Sequence, residues 1–167
     1  MRNKILFLLT AVIFSTPAIS QQITEGSLEC LKNEHNINVT IDYSEAIIHQ
    51  MSEKAFAEYE KDWNVDKKEI LIKLLESATD KSKGLITFGI NIPTKLSMTV
   101  IVHSIQTDGT WSSSAVITND KKEIQCRIDG VVGKGGRIGS MLNLIKDGSK
   151  STGKVLGEFI KNQYNSR

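Results

Sequence analysis

The chain has 167 residues, with 21 Lys and Arg against 19 Asp and Glu, two Cys and three His. That length is one domain's worth, and 40% hydrophobic residues supply a core, which disfavours a multidomain arrangement and argues against a wholly disordered chain. The formal charge of +2 belongs to the N-terminal segment alone, so a basic-protein reading, and nucleic acid as partner, lose their footing.

Arg2 and Lys4 precede an apolar run from Ile5 to Phe14 broken only by Thr10, and Ala18-Ile19-Ser20 puts small residues at the two positions a signal peptidase reads. The run falls short of the roughly 20 apolar residues of a spanning helix. Residues 1–20 are therefore expected to be a cleaved export signal, and 21–167 a single periplasmic or secreted domain. Glu29 stands where a lipoprotein signal needs a small residue before Cys30, so no lipid anchor is expected. Without the leader the chain carries 19 charges of each sign. They are divided unevenly: 6 basic and 13 acidic residues over 21–80, against 13 basic and 6 acidic over 81–167. Such halves either pair inside one fold or steer association between molecules, and the first is preferred.

Residues 21–35 are polar and expected to be loose. Ile37, Val39, Ile41 and Tyr43 alternate with polar residues, the period of a half-buried strand. Within it Asn38-Val39-Thr40 is a glycosylation sequon. Ser52 caps a helix carrying Ala55, Phe56, Tyr59 and Trp63. Asp66 and Glu69 resemble a capping box opening a second helix, with Ile70, Leu71, Leu74, Leu75 and Ala78 facing inward. Strands follow over 85–90 and 96–103, then a hairpin at Asp108-Gly109, a return strand from Trp111 to Thr118, and a last strand over 123–132 with Ile124, Cys126 and Ile128 on one face.

From Ile138 onward Met141, Leu142, Ile145, Leu156, Phe159 and Ile160 share one side of a helical wheel, which predicts one kinked helix or two collinear ones packed on the sheet. The fold class is α+β: a mainly antiparallel sheet of about five strands, two helices after the first strand, and a C-terminal helix.

Eight of the twelve glycines lie between Gly130 and Gly157. Gly148 to Lys154 has P-loop spacing, but Val155 replaces the hydroxyl residue that holds magnesium, and a helix precedes it, so coincidence is the better reading. Gly130 to Gly139 lacks the dinucleotide spacing. Its glycines suit a sharp turn into the last helix, and beside it Lys134, Gly135, Gly136, Arg137 and Ser140 are candidate anion ligands at that helix N-terminus. Lys146, Lys150, Lys154 and Lys161 form a stripe that is either a solvated face or a peripheral membrane contact. His35, His49 and His103 are scattered, with no metal spacing, and His103 is expected to be a satisfied sheet residue. Glu58 and Asp62 are read as a solvated helix face. No catalytic group and no cofactor are expected. Cys30 and Cys126 are a candidate disulfide, with Cys126 equally readable as a buried thiol.

Gly135-Gly136-Arg137-Ile138-Gly139-Ser140, Asn143-Leu144, Asp147-Gly148 and Gly153-Lys154-Val155-Leu156-Gly157, with the leader, resemble small exported proteins of Bacteroides-type bacteria. More loosely, the element order is similar to α/β domains of envelope proteins such as the Tol-system and curli-secretion lipoproteins. The resemblance implies an envelope location and transfers no functional residue. The expectation is a non-enzymatic exported protein that binds another envelope protein or itself. The alternative is a small-molecule or anion-binding protein, or a hydrolase, using Gly130 to Ser140.

Overall fold

The computed structural model describes residues 20–165. The export-signal expectation thus lies outside the described residues, Ser20 excepted. Eight strands and three helices run in the order β1 (Gln22–Gly26), β2 (Asn36–Asp42), β3 (Ile47–Ile48), β4 (Met51–Ser52), α1 (Glu53–Tyr59), α2 (Trp63–Ser82), β5 (Thr87–Gly89), β6 (Ser97–Ile105), β7 (Trp111–Thr118), β8 (Ile124–Gly133) and α3 (Met141–Asn165). A 3-10 turn spans Leu28–Leu31.

The alternating segments β6, β7 and β8 pair antiparallel, as their hairpin signals require. Asp108-Gly109 makes the first turn: Gly109 takes φ +79°, and the Asp108 carboxylate accepts the Thr110 N–H at 2.8 Å. The order across the sheet is β1-β8-β7-β6-β2-β5, with the β3–β4 hairpin beside the far end of β6. The expectation of a mainly antiparallel sheet of five strands is corrected here. The sheet is mixed, because β2 runs parallel to both β5 and β6. The chain leaves β5, steps over β2 at Asn38, which faces Gly89 on one side and Ser97 on the other, and continues as β6. The Asn38 amide fixes that step, donating to the Ile92 carbonyl at 3.0 Å and accepting the Ile92 N–H at 2.8 Å. The sequon's acceptor nitrogen is therefore engaged.

Residues 22–31, expected to be loose, are ordered. β1 hydrogen-bonds along β8, and Leu28 and Leu31 sink into the core. An edge strand exposed on most of its side chains shows little apolar alternation, which is why its sequence is silent. Trp63 belongs to α2, not α1, since the first helix stops at Tyr59. Asp66 accordingly lies inside the first turn of α2 and caps nothing. Ile138 precedes α3 and is 94% exposed, and Ile124 sits beyond a register shift and is also exposed, so neither joins the core as expected. α3 is one helix of 25 residues.

The two clusters of buried apolar side chains gather on one face of the sheet, under α2 and α3, while Val116 is buried on the other face between Thr99 and Arg127. These two helices run parallel and touch backbone to backbone. Ser149 Oγ donates to the Ile70 carbonyl at 2.7 Å. One turn on, a Cβ on Gly153 would stand 2.2 Å from the Leu74 oxygen, and a further turn on, one on Gly157 would stand 2.3 Å from that of Ala78. A small residue every fourth position is what lets the helix axes approach this closely.

The opposite face of the sheet carries Thr40, Thr99, Ile101, His103 and Arg127, half-buried or exposed, with no helix over it among the described residues.

Candidate functional site: a basic groove

The segment after β8 is laid flat against α3. Gly133 permits it, since a Cβ there would lie 2.4 Å from the Gly148 carbonyl oxygen and closer still to Thr152. The next N–H, of Lys134, donates to Ser151 Oγ at 3.0 Å, and that of Gly135 donates to Thr110 Oγ1 at 3.2 Å. With its backbone pinned from two sides, the loop holds Lys134 and Arg137 opposite Lys150 and Lys154, one turn apart on α3. The four cations and Ser151 line a groove of about 340 Å³ that includes a single carboxylate, Asp147. None of the four is in an ion pair among the described residues.

Elsewhere the opposed halves of the chain do meet within the molecule. Lys146 reaches from α3 to Asp66 at 3.0 Å and to Glu69 on α2, and Arg127 pairs with Glu25 at 3.6 Å. Lys146 is consequently only 13% exposed and does not belong to a solvent-facing lysine stripe.

Of the sequence candidates, Lys134, Gly135, Gly136 and Arg137 line the groove, and Ser140 does not. Its Oγ accepts the Asn143 N–H at 3.4 Å, capping α3 instead. The cationic candidates accordingly stand along the side of α3 rather than at its N-terminus. Lys150 and Lys154 were legible only as part of a stripe; their link to Lys134 depends on the loop being pressed down at Gly133. The Gly148 to Lys154 spacing is wholly helical; Gly148 lets α3 lie against Gly109 and Trp111, and Gly153 lets it lie against α2.

His103 Nε2 lies 3.1 Å from Ser114 Oγ on the uncovered sheet face. His49 occupies the two-residue turn between β3 and β4, where it and Gln50 take φ +49° and +67°, and its Nε2 is buried without a partner. Burial lowers its pKa, against the nearby Asp108 charge and a hydrogen bond to Gln106. Cys30 and Cys126 are free thiols. Burial raises both, and Cys126, which also faces any charge on Cys30, is pushed up to about 12. Among the described residues no group of three or more His, Cys, Asp or Glu is placed to hold a metal ion, and no helix is long and apolar enough to cross a membrane.

No protein-family model matches the chain, and no curated protein or solved structure matches it.

Proposed function

We propose that this is an exported binding protein, acting without chemistry, that captures an oxyanion group in the groove between the 134–137 loop and α3. One observation carries the reading: Lys134, Arg137, Lys150 and Lys154, from two segments, converge on one cavity while remaining unpaired. Four ammonium and guanidinium groups held together around a single carboxylate, Asp147, repel one another, and an anion relieves that cost. Arg137 supplies a planar, two-pronged donor and the lysines supply point charges, a mixture suited to phosphate, sulfate or carboxylate oxygens. Export is supported by the leader pattern in residues 1–20.

The test is calorimetric titration of residues 21–167 with inorganic phosphate and sulfate at low ionic strength, alongside flotation with vesicles carrying anionic headgroups. Saturable binding that weakens steeply with salt and vanishes in Arg137→Ala/Lys150→Ala is the expected result. Binding of vesicles alone would place the oxyanion on a lipid, and failure of every anion would sink the reading. A second reading, contact with another envelope protein or a second copy, is favoured by the uncovered face bearing Thr40, Thr99, Ile101 and His103. Sedimentation velocity that shows only monomer at all concentrations removes self-association.

A further inference from the structure

A second site lies where the C-terminal end of β2 meets the start of α2. Tyr43 lines it, and behind Tyr43 lies a pile of fully buried aromatic rings. Tyr43 stands edge-on to Trp63, with centroids 5.2 Å apart, and to Trp111 at 5.9 Å, while Phe56 meets Trp63 at 5.1 Å. Trp63 Nε1 donates to Glu53 Oε1 at 2.9 Å, and Lys67 Nζ donates to the same oxygen. The Lys67 ammonium also lies 5.6 Å from the Tyr43 ring centroid and 5.4 Å from that of Trp63. Glu53 and Lys67 thus neutralise each other, and both are partnered.

Two groups are not. The Tyr43 side chain is only 9% exposed, and its hydroxyl is buried with no hydrogen-bond partner. Lys68 takes part in no ion pair among the described residues. Both line an open cleft of about 470 Å³ whose remaining surface includes the half-buried apolar side chains of Ile41 and Leu71. That volume is within the ordinary range of small-molecule sites.

We infer that this cleft binds a small amphipathic carboxylate, its oxygens accepting from the Tyr43 hydroxyl and the Lys68 ammonium and its apolar body lying on Ile41 and Leu71. The alternatives fit less well. A cation would meet two ammonium groups and a carboxylate that is already neutralised. A bare phosphate would find one unpaired cation and leave the apolar surface unmatched. The phenol stays protonated far above neutral pH, burial being the main cause and the Glu53 charge the second, so it serves as a donor.

The two tryptophans beside Tyr43 report on the cleft directly. Titrating residues 21–167 with hexanoate or benzoate is expected to change tryptophan fluorescence saturably, with a dissociation constant of about a millimolar for a ligand of that size. Hexylamine and inorganic phosphate are expected to leave the signal flat. Tyr43→Phe, which keeps the ring and its packing, and Lys68→Ala, which alters an exposed side chain, should each weaken binding about tenfold. Arg137→Ala should not change it, which separates this site from the basic groove. Absence of saturation with both acids, or unchanged affinity in both cleft variants with melting temperatures intact, would overturn the assignment.

Discussion

Gly153→Ala tests the contact between α2 and α3. In an isolated helix this change stabilises, by about 1 kcal/mol, because alanine is the better helix former. Here the new methyl carbon would stand 2.2 Å from the Leu74 oxygen and 2.9 Å from its carbon, well inside contact distance. Both obstacles are backbone, so no side chain can turn aside. The helices must part by about 1 Å, which strains the Ser149 bond to Ile70 and loosens the core beneath. Overpacking of this kind costs about 1–3 kcal/mol, and a weakened buried hydrogen bond about 1 more. Set against the gain in propensity, the net is a loss of about 1–3 kcal/mol, or roughly 3–9 °C in Tm for a domain of this size.

Urea unfolding followed by the buried Trp63 and Trp111 reads this as a lower midpoint at unchanged slope. Gly84→Ala is the comparison. Gly84 has nothing within 4 Å, but its φ of +80° penalises a side chain, so only about 1 kcal/mol should be lost. A Gly153→Ala protein as stable as the parent, or more so, would show that the helices do not meet at this point.

The Glu53 carboxyl is held below its ordinary 4.5 first by the hydrogen bond from Lys67, against desolvation, and then by Trp63. A lowered folded pKa contributes stability that is complete above the unfolded value and drains away as pH falls through the folded one. Urea midpoints measured from about pH 7 down to pH 3 should therefore fall below pH 4.5, less steeply in Lys67→Met; equal slopes would refute the pairing. With its pKa at about 12, Cys126 holds roughly one thiolate in ten thousand at pH 8, so in the native protein it should resist iodoacetamide and react only in urea. Rapid native labelling would contradict its burial, and protection that survives urea until a reductant is added would mean the two thiols are joined.

The legibility of the fold follows from where its restraints are local. β6, β7 and β8 alternate and are separated by turn residues such as Asp108-Gly109, so their existence and pairing could be read directly. The direction of β2 was also signalled, though indirectly. A strand followed by two helices and another strand is the connection that parallel neighbours need, and it outweighs the antiparallel habit of the meander. β1 gave no sign, because Ile23 is its only apolar member and its place is supplied by β8. The groove was half legible. Lys134 and Arg137 drew attention through their glycines, but the lysines of α3 were assigned to a separate stripe. Nothing in the spacing says that Lys146 turns inward to Asp66 while Lys150 and Lys154 turn toward the loop. The Tyr43 cleft escaped notice because its members, from Ile41 to Leu71, are drawn together by tertiary packing alone.

The pairing of β1 with β8 bears on how the chain acquires its structure. The first strand bonds to the last, β2 must wait for β6, and α2 lies against α3. Within residues 20–90 the β3–β4 hairpin and the contact of α1 with α2 are local, but β1, β2 and α2 find their main partners far along the chain. A chain emerging N-terminus first, whether from a ribosome or through a membrane channel, could thus not complete its sheet until the residues up to Gly133 were out. Such a delay favours passage in an extended state. It also leaves the early apolar segments exposed for longest, with Ile37, Val39 and Ile41 the first in need of protection from one another's copies.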